Sequence, residues 1–465
     1  MLLSNARLDD EVVDIRVDDG IIVEIGSIGT GDIDLAERFV IPGLWDNHVH
    51  FTQWALSSQR LDVSAANSAV ETAAIVGAAI GRDMLVGVGF RDGLWPDAPS
   101  REVLDRVSGD VPVVLLSGDL HAVWLNSAAL AKFGYAGHET GLLREDDAFA
   151  VSKQLSTVSD EVSDAWVRAA GEAAARRGVV GFVDLEMTWN LEHWSRRAAA
   201  GFDSQRVEFG IYPQHLERAI SEGLRTGQPV SELVTVGPFK AITDGSLNTR
   251  TAYVHDHYDD GTLGLLTIPP EQLVPHMRAA ASAGIRAAIH AIGDHANTLV
   301  LDAFETVGGG GRVEHAQLLS DSDLPRFAQL GVEVSVQPQH LIDDRDVADR
   351  IWPGRTGRAY AFRSLLDAGA ALLFGSDAPV AALDPWIAMA AAVGRTTDGR
   401  EPWHPEQRVT SNEALAASVR SSVAIGQPAD LVVTEQDAHT ATADQLRGMP
   451  ISATLLAGRF THNAL

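Results

Sequence analysis

Residues 39–50 read FVIPGLWDNHVH, an apolar run that ends in two histidines separated by one residue. The run is typical of a β-strand, and side chains two residues apart on a strand project from the same face. His48 and His50 are therefore placed to reach one metal ion through their imidazoles. Taken alone the pattern is a weak signal, because a single buried histidine more often has a structural role.

Seven more apolar runs follow and alternate with alanine-rich stretches of helical character. This alternation is typical of βα units and a parallel sheet. The sequence therefore predicts an α/β fold, a (β/α)₈ TIM barrel, with helices around 160–177, 271–283 and 386–394. The further strands are expected within residues 178–186, 206–213, 239–245, 285–293, 311–317, 332–339 and 371–379.

Polar side chains close several of these runs. His290 ends IRAAIH, His315 ends RVEH, and Asp377 follows ALLFGS. The carboxyl ends of barrel strands meet at one face, which carries the active site in such enzymes. Each residue alone has a structural explanation, but together with His48 and His50 they predict a metal site.

Lys240 closes the apolar run VGPFK in a chain that has three lysines and 33 arginines. A buried lysine can lose its proton, whereas arginine stays charged. The neutral amine can take up carbon dioxide, and the resulting carbamate is an oxygen donor able to bridge two metal ions. The alternative is a lysine that reaches solvent or pairs with Asp244.

The chain length and the short strands at both ends suggest the domain organisation. The 465 residues exceed an ordinary single domain. Both ends contain short strands and turns, so we expect residues 1–42 and 421–465 to form a β-sandwich accessory domain. The barrel is then residues 43–420, with an insertion at about 60–150 that shapes the substrate pocket.

Composition limits the partners. The net charge of −27 argues against a nucleic acid or an anionic membrane surface. The absence of cysteine excludes thiolate ligands and disulfides. The N-terminal residues turn acidic before any apolar run of signal length, and no run is long enough to span a membrane, so we expect a cytoplasmic protein that acts on a small molecule. A homo-oligomer is compatible with the sequence.

Several motifs resemble the amidohydrolase superfamily: IPGLWDNHVH, the lysine at 240, the histidines at 290 and 315, and GSDAPV with Asp377. The stretches GDLHAVWLNSAAL, FKAITDGSLNTRTA, IHAIGDHAN and GQPADLVV are similar to the YtcJ-like branch, amidohydrolase family 3, which includes N-substituted formamide deformylases. The similarity covers nearly the whole chain.

The resemblance implies a set of roles for the residues at the strand ends. His48 and His50 would bind the more buried metal, and His290 and His315 the second. Lys240, as a carbamate, would bridge the two. Asp377 would contact the first metal and act as the catalytic base.

The resemblance also suggests substrate contacts outside the metal ligands. His121, in the insertion, is a candidate for contacting the substrate. Asp244 and Arg250 follow the lysine and are candidate pocket residues, although a loop ion pair explains them equally well.

We therefore predict a hydrolase that cleaves a non-peptide carbon–nitrogen bond with a metal-activated hydroxide, at a site holding one or two divalent ions, zinc being the first candidate. One alternative is a mononuclear, deaminase-type hydrolase, which does not need Lys240. Another is a barrel that binds a ligand without catalysis, since the fold alone permits it.

Overall fold

A computed structural model describes residues 1–29, 31–155 and 158–465. The first 42 residues form strands with alternating burial, as in β2, where Ile15 and Val17 are buried on either side of the partly exposed Arg16. The strands are β1 Leu2–Leu8, β2 Glu11–Asp18, β3 Ile21–Gly26, β4 Ile33–Asp34 and β5 Phe39–Pro42.

The first barrel strand, β6 (Leu44–Val49), is followed by a separate compact unit of residues 52–167 and 379–381. The predicted insertion falls inside this unit. Its sheet has the order β11-β10-β9-β8-β7, and Trp124 is fully buried in its core. The elements between β6 and residue 178 are α1 Phe51–Ser57, β7 Leu61–Asp62, α2 Ala69–Ala79, β8 Leu85–Phe90, α3 Arg101–Ser108, β9 Val113–Ser117, β10 Ala122–Leu125, α4 Ser127–Phe133, β11 Leu142–Arg144, α5 Asp146–Leu155 and α6 Asp160–Ala175, which extends beyond the unit.

The chain then completes the barrel, alternating strands with helices. The strands are β12 Val179–Asp184, β13 Arg206–Ile211, β14 Val234–Ile242, β15 Ala287–Ala291, β16 Gly311–His315, β17 Val332–Val336 and β18 Leu372–Phe374. The helices are α7 Asn190–Ala199, α8 Pro213–Ser221, α9 Pro270–Ser282, α10 Asp294–Val307, α11 Leu324–Leu330, α12 Pro338–Ile351, α13 Phe362–Asp367, α14 Pro385–Gly394 and α15 Ser411–Ala416.

All eight barrel strands run parallel, in the order β18-β17-β16-β15-β14-β13-β12-β6. A parallel bridge between Val49 and Ala378 joins the two ends of this order. Helices cover the outer face of a parallel barrel and side chains fill its interior, so its strands are mostly apolar; every residue of β12 is buried. The predicted barrel is confirmed, and each predicted strand and helix region overlaps an observed strand or helix.

The C-terminal segment returns to the N-terminal strands. It forms β19 Leu431–Thr434, α16 Ala443–Arg447, β20 Ile451–Leu456 and β21 Arg459–Asn463. β19 pairs antiparallel with β5, which gives the sheet order β21-β20-β19-β5-β1-β2-β3, with β4 beside β1. Apolar side chains from both ends share one core, including Leu3, Ile15, Leu431 and Leu455. The predicted pairing of the two termini is confirmed, while the residue bounds of the accessory domain stay a prediction.

Among the helices of the described residues, none is both long and apolar enough to cross a lipid bilayer.

Candidate active site

The fold brings the six predicted metal ligands to the carboxyl end of the barrel. His48 and His315 lie in the last two residues of β6 and β16, Lys240 and His290 lie near the ends of β14 and β15, and His50 and Asp377 follow β6 and β18. Side chains from non-consecutive parts of the sequence therefore meet at one face, as expected from the parallel strands.

Asp377 lies against both histidines of the His-Val-His motif. Its Oδ1 atom is 3.3 Å from Nε2 of His48 and 3.4 Å from Nε2 of His50. The ring centroids of the two histidines are 5.7 Å apart. Both imidazoles thus project from one face of the chain, and each presents its Nε2 atom to the same carboxylate oxygen.

His315 and His290 extend this cluster around the barrel. The His315 ring centroid lies 4.9 Å from that of His48 and 4.5 Å from that of His290. His48, His315 and Asp377 each offer one ligand atom, and these three atoms lie within 4.8 Å of one another. The trio is thus compact enough to hold a metal ion.

The backbone at two of these residues is unusual. His315 has φ of 73° and Asp377 has φ of 57°, both in the left-handed region that residues other than glycine rarely adopt. Such conformations cost about 1–3 kcal/mol each and cluster at functional sites. At His315 the left-handed backbone departs from strand alternation, which explains how Glu314 and His315 both contact His48 although they are neighbours in sequence.

Lys240 is 1% exposed, and its Nζ atom has no hydrogen-bond partner among the residues that the structure describes. Burial lowers the pKa of Lys240 to about 8, although the nearby Glu314 and Asp377 carboxylates oppose the shift. The lysine therefore neither reaches solvent nor hydrogen-bonds to Asp244, the two structural roles considered from sequence.

The electrostatics of the cluster favour neutral imidazoles at His48 and His315, whereas at His50 burial lowers the pKa but the hydrogen bond to Asp377 outweighs it and raises the pKa. Burial, assisted by Lys240, lowers the pKa of His48 to about 4. Burial and the adjacent His290 hold the pKa of His315 well below its usual range. For Asp377 burial raises the pKa, but the histidines around it outweigh this effect and hold it well below the usual value. Neutral imidazoles and an ionised carboxylate are the forms that bind a metal ion.

The first and last barrel strands are held together beneath the cluster. The buried Asp46 accepts hydrogen bonds at Oδ1 from the backbone N–H groups of His48 and Ser376. A Cβ atom added to Gly375 would lie 2.6 Å from the His48 backbone nitrogen, so only glycine permits this approach. These contacts fix the position of Asp377 relative to His48.

Asp244 and Arg250, two of the predicted pocket residues, lie in different environments. Asp244 is fully buried and accepts hydrogen bonds from the backbone N–H groups of Tyr253, Ile292 and Gly293. Its Oδ1 atom is also 3.3 Å from Nε2 of His290, without hydrogen-bond alignment. Arg250 is exposed, with φ of 58°. A substrate contact by Asp244 or Arg250 stays a prediction.

His121 belongs to the second compact unit, where it immediately precedes β10. Its Nδ1 atom lies 3.0 Å from Oε2 of Glu145, and its side chain is 26% exposed. A contact between His121 and the substrate stays a prediction.

Two residues of the cluster were not predicted. Glu314 is fully buried and contacts His48. His340, in the first turn of α12, is 8% exposed, its ring lies parallel to that of His315 at 6.3 Å, and its Nε2 atom has no hydrogen-bond partner in the described part of the chain. Both have a signal in the sequence, since RVEH and VQPQH place a polar residue at or just after a predicted strand end.

Comparison with known proteins agrees with this arrangement. The sequence pattern of the Amidohydrolase family matches residues 32–462, nearly the full length. The chain belongs to the amidohydrolase family. It is therefore a hydrolase that acts on carbon–nitrogen bonds other than peptide bonds, as predicted.

Two relatives place this amidohydrolase in the predicted branch. It is 26% identical to the putative amidohydrolase YtcJ of Bacillus subtilis (strain 168), over 97% of this chain and 96% of that protein. It is also 26% identical to N-substituted formamide deformylase of Arthrobacter pascens, over 92% of this chain and 89% of that enzyme. The resemblance predicted from the motifs is confirmed.

A solved structure shares the fold of this amidohydrolase. An uncharacterized metal-dependent hydrolase from Pyrococcus horikoshii OT3 superposes with a TM-score of 0.80, at 25% identity, covering 95% of this chain and 99% of that one. This neighbour supports a metal-dependent hydrolase on a TIM barrel.

Proposed function

We propose that this amidohydrolase cleaves a small N-substituted formamide or a related non-peptide amide at a binuclear metal centre formed by His48, His50, Lys240, His290, His315 and Asp377. The main support for the proposal is the position of Asp377, whose Oδ1 atom faces Nε2 of both His48 and His50. His315 also lies within reach of the same metal ion.

The residues present fit a divalent cation. Imidazole and carboxylate are donors that suit zinc, and also manganese, iron or cobalt. Several donor atoms of the cluster are buried without a hydrogen-bond partner among the described residues, including Nε2 of His290, Nδ1 of His315 and Nζ of Lys240. Unsatisfied buried polar atoms are costly, so a ligand is expected to satisfy them. A bound cation would supply Lewis acidity and lower the pKa of water.

Lys240 supports two ions rather than one. Its amine is buried, lacks a partner in the described chain, and has its pKa lowered to about 8. At a pKa of about 8, roughly one amine in ten is neutral at pH 7, and this neutral form can react with carbon dioxide. The carbamate formed would supply an anionic oxygen ligand to both ions, the one held by His48 and His50 and the one held by His290 and His315.

Asp377 is proposed as the proton carrier. Its carboxylate is ionised, because the surrounding imidazoles hold its pKa well below the usual value, so it can accept a proton. The same oxygen atoms can return that proton to the leaving amine. Proton transfer by a positioned side chain contributes about 10²–10⁴-fold in rate.

The substrate class is drawn from the 26% identical relative that is an N-substituted formamide deformylase. The formyl group is the smallest acyl group that an amide nitrogen can carry. We propose formamides as the first substrates to test, followed by larger acyl amides.

A mononuclear site is the second candidate, because His48, His315 and Asp377 form a compact trio by themselves. In that case Lys240 would be dispensable for metal binding. A binding protein without catalysis, the other alternative from the sequence, does not agree with membership of the amidohydrolase family.

Elemental analysis of protein purified without chelator tests these candidates. We expect about two metal ions per chain in the wild type, falling to one or none in Lys240→Ala, with formamide hydrolysis lost in parallel. One ion in both proteins would favour the mononuclear site. The absence of metal from the wild type would contradict the proposed function. Lys132→Ala, a change at an exposed lysine, is the matched control.

A further inference from the structure

Glu314 links His48 to a buried arginine. Its Oε2 atom lies 2.7 Å from Nδ1 of His48, and its Oε1 atom lies 2.5 Å from Nε of Arg312. The side chains of Glu314 and His48 are 0% and 1% exposed, and that of Arg312 is 7% exposed. All three side chains are therefore shielded from solvent.

The contact decides which nitrogen of His48 is free. An ionised carboxylate only accepts hydrogen bonds, so Nδ1 of His48 must carry a hydrogen to bond Glu314. The guanidinium of Arg312 supplies the positive charge that keeps this carboxylate ionised in a buried position. The amide nitrogen of Gln337, 3.4 Å from the same Nδ1 atom, is a longer contact. The lone pair of His48 is then on Nε2, the atom that faces Asp377 at 3.3 Å.

We propose that Glu314 is a positioning residue that fixes the tautomer and ring orientation of His48, so that Nε2 binds the metal ion. The inference rests on the proposed metal centre. Oε2 of Glu314 bonds His48, and Oε1 is ion-paired with Arg312 without hydrogen-bond alignment, so both oxygens face protein groups and the role differs from that of a direct ligand. Carboxylates that hold a ligand histidine in this way are worth about 10–100-fold in metal affinity.

Glu314→Gln tests the role, because the amide keeps the shape of the side chain but loses its charge and its obligatory acceptor character. Zn²⁺ affinity is measured on metal-free protein by competition with a chromophoric chelator. We expect about 10–100-fold weaker binding. The matched control is Glu333→Gln on the neighbouring strand β17. This change removes a carboxylate paired with Arg286, and both side chains of that pair are more than a third exposed. The control should bind Zn²⁺ as the wild type does.

The unfolding midpoint of each metal-free variant separates positioning from a structural role. If Glu314→Gln lowers the midpoint but leaves Zn²⁺ affinity within twofold of the wild type, the proposal is overturned. If the wild type itself binds no metal, the proposed function fails instead.

A measurement on the wild type keeps the proposal testable even if Glu314→Gln does not fold. Nitrogen-15 NMR of histidine-labelled, metal-free protein distinguishes protonated from unprotonated ring nitrogens, and the His48 signals are assigned by their loss in His48→Ala. We expect a hydrogen on Nδ1 and none on Nε2 of His48. The opposite tautomer would overturn the proposal.

Discussion

The carboxylate Oδ1 of Asp377 lies 3.3 Å from Nε2 of His48, although 329 positions separate the two residues in the sequence. His48 immediately precedes Val49, and Asp377 immediately precedes Ala378. The bridge between Val49 and Ala378 joins the first and last strands of the barrel. Closure of the barrel therefore also assembles the centre of the candidate active site.

Replacement of Asp377 by asparagine should nearly abolish turnover. The amide keeps the shape of the side chain but cannot accept the proton that the proposed reaction transfers. We expect kcat for formamide hydrolysis to fall by about 10²–10⁴-fold. Metal content is measured on the same preparation, and a variant that retained wild-type kcat would exclude Asp377 as the proton carrier.

Reconstitution of metal-free protein should depend on carbon dioxide. A carbamate on Lys240 forms only when dissolved carbon dioxide is present, so Zn²⁺ added in carbon dioxide-depleted buffer should restore little activity. The same addition with bicarbonate should restore activity and the second ion per chain. Lys240→Ala should show no bicarbonate effect, and equal recovery of the wild type in both buffers would argue against the carbamate.

Removal of metal should lower thermal stability. A ligand that binds only the folded state at 100 times its Kd stabilises it by about 2.7 kcal/mol. We expect a chelator to lower the unfolding temperature of the wild type and added Zn²⁺ to restore it, as followed by differential scanning calorimetry. The shift should be much smaller in His48→Ala and unchanged in His462→Ala, a change in β21 of the terminal sheet.

Gly375→Ala should disturb the site through the backbone. The added Cβ atom would lie 2.6 Å from the His48 backbone nitrogen, and neither strand can move without displacing Asp377 or His48. Overpacking of this kind costs about 1–3 kcal/mol. Gly309→Ala, where no heavy atom lies within 4 Å of the added Cβ, is the control. Urea unfolding and metal content of both variants check the result, and an unchanged Gly375→Ala protein would show that the barrel seam is not rigid.

Glu413 should stabilise the fold in a pH-dependent manner. It forms two hydrogen bonds to Arg363, at 2.8 and 3.1 Å, and completes the capping box of α15 with Thr410. The hydrogen bonds from Arg363 lower the pKa of Glu413 from 4.5 to about 2. Because the folded-state pKa is depressed, this stabilisation is fully present above about pH 4.5 and is lost as the pH falls toward 2.

The difference in urea unfolding midpoint between wild type and Glu413→Gln measures this contribution. It should be constant from pH 7 to pH 5 and shrink below pH 4.5. Glu37→Gln, which removes an exposed partner of Arg7, should have little effect at any pH. A Glu413 effect that grew at low pH would contradict the assignment.

The order of elements was readable from the sequence because it depends on local patterns. Strand runs such as GVVGFVDLE are mostly apolar, since both faces of a parallel barrel strand are covered, and the alanine-rich segments have helical spacing. The residues at the ends of those runs, from His48 to Asp377, could be named because parallel strands present their carboxyl ends at one face.

The sequence by itself determined the barrel, the pairing of its termini and the candidate ligand residues, because strand periodicity and the polar residues at strand ends are encoded locally. Only the tertiary structure decided how those residues are oriented. The left-handed backbone at His315 and Asp377, the hydrogen bond between Glu314 and His48, and the enclosure of Lys240 depend on contacts between strands that are distant in sequence. Local patterns predict which face of the barrel a side chain lies on. Its contact partners depend on the register and closure of the barrel strands.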